Sequence, residues 1–237
     1  MDKFLPVISV VFTSLLNISA ISGQSSDQNR MHLSVSQSDT ISDIQLLYNG
    51  RLWRGLYHDI VGDEFFPSKN WLNGEVFIDD LTFKNVSLRY DIYNDQLITS
   101  MNQDILIQLN KEHIKGFSLT FENKKYLFEN FGNGNGYPFK GFGQVLYKGK
   151  TYLVMKEIKK IQLLAVENRY DEFYQLQDLF IFRNGTFYPV SGKKDLLNAL
   201  SDRQEELQKF IKKEKIRIRK KSPDSFIPVI KFYDDLK

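Results

Sequence analysis

The chain has 237 residues, of which 42% are hydrophobic and 26% are charged, and it carries a net charge of +3. This balance is ordinary for a folded protein, and the length suffices for one domain with its own hydrophobic core. The chain has no cysteine. That absence excludes structural disulfides, thiolate metal sites, cysteine nucleophiles and a lipid anchor attached to a cysteine.

The first 23 residues have the pattern of an export signal. Lys3 precedes an apolar run from Phe4 to Ala20, and small residues then lead into the polar stretch Gln24–Arg30. This order predicts a cleavable signal peptide over residues 1–23, and therefore an exported protein. A membrane anchor and a buried N-terminal element are the alternatives, because the run of about 17 residues is near the lower limit for a span. After signal removal we expect no transmembrane span and no lipid anchor.

A polar leader over residues 24–40 precedes a long region, residues 41–190, of short runs in which apolar and polar residues alternate. In Val86–Tyr93, for example, every second residue is apolar. Alternation with one apolar face predicts an antiparallel sheet that covers a core on one side. Two-residue turn signals separate the runs. These signals are Asn49-Gly50, Asp79-Asp80, Asn94-Asp95, Asn123-Lys124, Lys148-Gly149 and Asn184-Gly185.

Six hairpins imply about a dozen strands, which is more than a flat sheet usually holds. We therefore expect a mainly β fold, an antiparallel hairpin meander forming either two packed sheets or one curled, partly closed sheet. The spacing of apolar residues changes after Val190 from every second residue to the three- or four-residue spacing of a helix. Residues 191–237 are therefore predicted to form a short C-terminal helical segment. Ser201 with Gln204 has the spacing of a capping box, and Ser222 precedes a proline at a first helical position.

Several segments resemble a group of uncharacterised exported proteins common in Bacteroidetes bacteria. The resemblance covers most of the chain after the signal and implies an envelope location in a diderm bacterium. The group has no established activity, so the resemblance implies no catalytic residue. The segments are Leu47–Trp53, Gly74–Val76, Tyr90–Asp95, Gly143–Leu153, Lys193–Leu197 and Phe232–Leu236.

No catalytic or cofactor motif stands out. The glycine-rich segment Gly132–Gly143 precedes a predicted strand rather than a helix, so it favours a connection between hairpins over a phosphate-binding loop. The three histidines, His32, His58 and His113, have no metal-ligand spacing, and we expect neither a metal nor a cofactor. Carboxylates are numerous around the predicted turns, and any two that face each other across a cleft would suit a hydrolase. No spacing selects such a pair, so the catalytic residues stay unknown.

Trp53, Tyr57 and Trp71 lie close together in the early part of the β region. Exposed aromatic rings bind sugars or proteins, whereas buried rings are simply part of the core. The three residues are therefore a candidate ligand surface, and a core role is the alternative.

The least ordinary local feature is a basic segment from Lys209 to Lys221, which has eight basic residues and one acid, Glu214. In an exported protein an anionic membrane face, lipopolysaccharide phosphates or an acidic partner fit this charge better than nucleic acid does. A solvated helix face without a ligand is the alternative. The basic residues are Lys209, Lys212, Lys213, Lys215, Arg217, Arg219, Lys220 and Lys221.

These features together predict an exported cell-envelope protein, periplasmic or associated with the outer membrane, that binds a protein or an envelope surface without catalysis. A carbohydrate- or small-ligand-binding module is the second hypothesis, and a hydrolase with paired carboxylates is the third. The sequence identifies neither the partner nor the oligomeric state.

Overall fold

The computed structural model describes residues 34–35, 41–102, 105–132, 136–163 and 171–236. The predicted signal peptide and most of the polar leader lie outside the described residues, and so does His32.

The strands are β1 (Ser34–Val35), β2 (Gly50–Leu52), β3 (Phe65–Phe66), β4 (Leu72–Ile78), β5 (Leu81–Asp91), β6 (Gln96–Asn102), β7 (Ile105–Leu109), β8 (Ile114–Phe121), β9 (Lys124–Asn130), β10 (Phe142–Lys148), β11 (Tyr152–Gln162), β12 (Glu172–Arg183) and β13 (Thr186–Pro189). The helices are α1 (Ile41–Leu47), α2 (Lys193–Ala199), α3 (Gln204–Lys213) and α4 (Ile227–Asp235). Short 3-10 turns lie at Ser201–Arg203 and Pro223–Phe226.

The described strands join one antiparallel sheet in the order β13-β12-β11-β10-β9-β8-β4-β5-β6-β7-β2, while β1 and β3 both pair with β5. This confirms the prediction of a mainly β, antiparallel fold with C-terminal helices. Of the two predicted arrangements, the single sheet is found and two separate packed sheets are not. The path of strands is open, because β13 and β2 are its ends.

The sheet curls strongly across its middle strands. β5 and β10 are four steps apart in the sheet, which would separate them by roughly 19 Å if the sheet were flat. The rings of Tyr90 on β5 and Phe142 on β10 nevertheless have centroids only 5.9 Å apart. Further along, the backbone N–H of Lys159 on β11 donates to the carbonyl of Ile92 at the end of β5, with an N to O distance of 3.4 Å.

The curl produces the first hydrophobic core. Alternate side chains of β4 to β10 meet inside it, as the period-two pattern predicts. Phe117 and Phe128 stack at its centre with centroids 4.7 Å apart. Leu47 of α1 is fully buried in the same core.

The C-terminal helices form the second hydrophobic core with the other end of the sheet. Leu153 and Ile181, on the paired strands β11 and β12, pack with Leu196, Leu207 and residues of α4. The opposite face of these two strands carries aromatic rings, because Phe180 and Phe182 alternate with the helix-facing residues. Leu153–Glu157 of β11 and Leu179–Ile181 of β12 are therefore buried, whereas much of Glu172–Asp178 of β12 is exposed.

Five of the six turn signals join paired strands, as predicted. Asn184 and Gly185 have φ angles of 49° and 76°, the left-handed conformation that a tight hairpin turn needs. The interpretation of Asn49-Gly50 as a hairpin turn was wrong. These residues join α1 to β2, and the N–H of Tyr48 still makes a helical bond to Ile44.

The predicted capping box at Ser201 was also wrong. A 3-10 turn occupies Ser201–Arg203, and α3 begins at Gln204 without a side-chain cap. Ser201 is the first residue of that 3-10 turn, so it is not in the N-cap position of α3. Pro223 does lie at the start of a short helical turn, as the sequence predicts.

No helix within the described ranges is long and apolar enough to cross a membrane.

Candidate functional site

A groove runs along the C-terminal helices beside α3. Its volume is about 550 Å³. Four of the eight predicted basic residues line it, and Lys193 at the start of α2 joins them. The lining residues are Lys193, Gln208, Lys209, Ile211, Lys212, Lys215, Ile216 and Arg217. We call this feature the basic groove.

The basic groove has five cations and no acid among its lining residues. Its floor is apolar, since Ile211 is only 4% exposed and belongs to the second core. Within the described part of the chain, we find no ion pair to any of the five cations. Lys212 lies in the last turn of α3, where a positive charge also favours the helix dipole. The helix dipole does not explain the positive charges of Lys193, Lys215 and Arg217 in the groove.

The other four predicted basic residues lie outside the groove lining. Lys213 is 3.9 Å from Glu214, and Lys220 forms an ion pair with Asp178 of β12 at 3.2 Å. Arg219 and Lys221 are exposed beside them. The structure therefore divides the predicted basic segment into a groove-lining half and a half that faces β12 or solvent. The sequence had no signal for Lys193, because it is 16 positions before Lys209.

A second feature, which we call the aromatic pocket, lies beside the turn between β5 and β6. It has a volume of about 270 Å³. The sequence analysis placed Trp53 and Tyr57 on a candidate ligand surface, and both line this pocket. The lining residues are Leu52, Trp53, Arg54, Leu56, Tyr57, Glu64, Asn94, Gln96 and Gln108.

Trp71, the third predicted aromatic residue, does not line the aromatic pocket. Its ring lies under the guanidinium of Arg89, which is 4.2 Å from the ring centroid. The same guanidinium is 5.4 Å from the ring of Phe65. The structure therefore places Trp71 outside the pocket that Trp53 and Tyr57 line, with a cation of the protein itself over its ring.

Glu64 is the acidic residue in the lining of the aromatic pocket, and in the sequence it is one of many carboxylates near the predicted turns. It is 7% exposed. Burial raises the pKa of its carboxyl group, its own backbone N–H lowers it, and the charges of Asp91 and Asp63 add to the increase. The positive charge of Lys159 opposes this increase, and Arg89 also lies close enough to feel the charge of Glu64.

A larger polar cleft of about 800 Å³ adjoins the aromatic pocket, because Gln108 lines both. Arg51 and Lys111 supply its positive charges and Glu112 its negative charge. Asn130 shapes its wall by donating to the carbonyls of Lys111 and Ile114, each at 2.9 Å.

Lys111 of this cleft belongs to an ion triad with Asp95 and Lys156, in which the Lys156 side chain is buried and the other two are partly exposed. The Asp95 carboxylate accepts from both ammonium groups, from Lys156 at 2.9 Å, and from the hydroxyl of Tyr90 at 2.6 Å. Burial raises the pKa of the Asp95 carboxyl group, but the two ammonium groups and the hydroxyl lower it by more than burial raises it. The pKa of Asp95 is therefore below its usual value. The triad joins the β5–β6 turn to β11, because Asp95 lies in that turn and Lys156 lies on β11. Lys156 also donates to the carbonyl of Phe142 on β10 at 2.7 Å.

The numerous carboxylates near turns have structural roles of their own. Asp91 accepts from the backbone N–H groups of Tyr93 and Asn94 at 2.9 and 2.8 Å and from the side chain of Asn94 at 2.8 Å. Asp63 accepts from Lys159 at 2.9 Å. The charge of Asp91 raises the pKa of Glu64, but the oxygens of Asp91 are occupied by these donors. Glu64 and Asp91 are therefore not a pair of two free carboxyl groups of the kind that a glycosidase needs.

Neither of the two described histidines belongs to a metal-binding group. His58 and His113 are both exposed, and the described residues contain no group of three or more histidine and acidic side chains that would hold a metal ion. The glycine-rich segment connects β9 to β10, as predicted, although residues 133–135 lie outside the described residues. Gly141 packs against the triad, and a side chain there would overlap the carboxylate of Asp95.

Comparison of the chain with known protein families, with curated proteins and with solved structures finds no match.

Proposed function

We propose that this chain is an exported cell-envelope protein that attaches without catalysis to an anionic envelope surface through the basic groove. The main observation behind the proposal is that five cations and no acid line one concave surface. A surface of this kind attracts phosphate and carboxylate groups. The export signal and the resemblance to exported proteins support the location.

The attachment is peripheral and electrostatic. In the described part of residues 191–236 no large hydrophobic side chain is exposed, so this region has no apolar residue to insert between lipids. Basic residues near an anionic membrane surface contribute about 1 kcal/mol each. Five of them would supply on the order of 5 kcal/mol, which is enough for reversible binding at low ionic strength.

The first test measures binding to vesicles. We use the chain beginning at Gln24, so that the apolar run of the signal does not contribute. Replacing the five groove cations, Lys193, Lys209, Lys212, Lys215 and Arg217, by Gln should weaken binding to vesicles of anionic phospholipid at least a hundredfold. Wild-type binding should fall steeply as salt is added, because salt screens exposed charges. Co-sedimentation with anionic and with neutral vesicles provides the measurement.

The matched control removes the same charge from elsewhere. Lys69, Lys84, Lys115, Lys124 and Lys160 are exposed lysines outside the C-terminal helices, and their joint replacement by Gln should leave most of the binding intact. Equal losses in the two variants would show that only net charge matters. A wild-type chain that does not bind anionic vesicles at low salt would contradict the proposal.

A further inference from the structure

The aromatic pocket is preformed. The ring of Tyr57 packs edge-on against Tyr93 and Phe173, with centroids 5.1 and 5.5 Å away. Its hydroxyl also interacts with the side chain of Asn94, whose amide nitrogen is 3.2 Å away. Trp53 packs on Phe65 at 6.0 Å. Both aromatic walls are thus fixed by the protein before any ligand enters, which reduces the entropy lost on binding.

The polar groups of the aromatic pocket suit a ligand with several hydroxyl groups. Gln96 and Gln108 bring amides, and Arg54 brings a guanidinium. Glu64 brings a carboxyl group that is more than nine-tenths buried. Because Glu64 lines the pocket, a ligand there can add a hydrogen bond to this largely buried carboxyl group, which is favourable. A hydroxyl group can do so in either state of the carboxyl, because it both donates and accepts.

The size of the aromatic pocket limits the ligand. Its volume of about 270 Å³ is just below the ~300 Å³ at which pockets for drug-sized ligands begin. The aromatic pocket therefore has room for one six-membered ring with its substituents, and the rest of a longer ligand must lie outside the pocket. The polar cleft that adjoins it at Gln108 provides that space.

The polar cleft favours an acidic group on the continuing part of the ligand. In the ion triad, two ammonium groups share the single carboxylate of Asp95, so Lys111 brings positive charge that is not fully balanced. Arg51 is exposed at the same cleft. These two cations exceed the single acid of the lining, Glu112.

We propose that the aromatic pocket and the polar cleft together bind an acidic oligosaccharide. One sugar ring lies between Trp53 and Tyr57 with its hydroxyl groups bonded to Glu64 and the two glutamines. The carboxylate of a neighbouring uronic acid unit binds Arg51 and Lys111. This site shares no residue with the basic groove, so the proposal does not depend on whether the groove binds anionic lipid.

The test uses the full chain and an array of oligosaccharides of two to four units, in which each member containing glucuronate, galacturonate or mannuronate has a neutral partner of the same length. At least one acidic member should bind, at least tenfold more tightly than its neutral partner. W53A should lose at least tenfold in affinity for that member, and E64Q several-fold. R51Q should reduce the preference for the acidic member over its neutral partner.

The control is W71F, which changes a tryptophan that stacks on Arg89 and does not line the pocket, and it should bind like the wild type. Because W53A removes a ring that packs on Phe65, its melting temperature is measured beside that of E64Q, which keeps the side-chain shape. Loss of binding in a folded E64Q supports the proposal even where W53A is unstable. No binding anywhere in the array, equal affinity for acidic and neutral partners, or equal losses in E64Q and W71F would overturn the proposal.

Discussion

The D95A variant should lose about 3 to 5 kcal/mol of the free energy of unfolding, the range that is typical of removing one partner from a buried ion pair. The carboxylate of Asp95 lies between the ammonium groups of Lys111 and Lys156, and the Lys156 side chain is only 8% exposed. Without Asp95, both ammonium groups repel each other, and the hydroxyl of Tyr90 loses its acceptor. The measurement is urea denaturation followed by circular dichroism.

The control for D95A is D80A. Asp80 also pairs with a lysine, Lys115 at 3.0 Å, but its side chain is fully exposed, so its removal should change the free energy of unfolding by less than about 1 kcal/mol. If D95A proved as stable as D80A, the triad would not join the β5–β6 turn to β11 in the way described.

The F117A variant should also lose about 3 to 5 kcal/mol, as is typical when a buried phenylalanine is replaced by alanine. Phe117 is fully buried, and its ring packs against Tyr90, Phe128 and Phe142 with centroids between 4.7 and 5.0 Å away. These partners belong to three different strands. Phe128 is the cross-strand neighbour of Phe117 on β9, whereas Tyr90 and Phe142 are each two strands away and reach Phe117 because the sheet curls. The loss therefore includes the packing that the curl produces.

Phe77 provides the control for F117A. It lies on β4 beside β8, but it is half-buried and alternates with the core residues Val76 and Ile78. F77A should lose clearly less than F117A in the same urea experiment. Equal losses would mean that Phe117 is not at the centre of the first core.

The local parts of the fold were predictable from the sequence. Alternation in runs such as Val86–Tyr93 depends only on the period of a strand, and the turn at Asn184–Gly185 depends only on residues that tolerate positive φ. Asn49-Gly50 shows the limit of that rule. Here Asn49 follows α1 and Gly50 begins β2, and neither residue has the positive φ of a tight hairpin turn.

The long-range parts were not predictable. β8 pairs with β4 rather than with β7, the strand before it, so Ile114 lies opposite Ile78. Such pairing depends on which apolar faces can be buried together, and no local pattern specifies it. For the same reason the sequence did not connect Asp95 with Lys156, which is 61 positions later.

The candidate sites were predicted only in part. A run of basic residues is visible in any sequence, so four groove cations were found, whereas Lys193 joins them only because α2 packs against α3. Glu64 follows Asp63 and resembles a solvated acid in the sequence. Its burial results from β3, which pairs with β5 and carries the preceding segment onto the sheet.

The most direct test of the proposed attachment asks which surface touches the membrane. Because the chain has no cysteine, a dye sensitive to its surroundings can be attached at a single introduced position. Q208C places it in the basic groove, and T120C places it at an exposed position on β8. With anionic vesicles the emission at Q208C should shift to shorter wavelength and return when salt is added, while T120C should not change. A shift at T120C, or none at Q208C while the protein is bound, would contradict attachment through the basic groove.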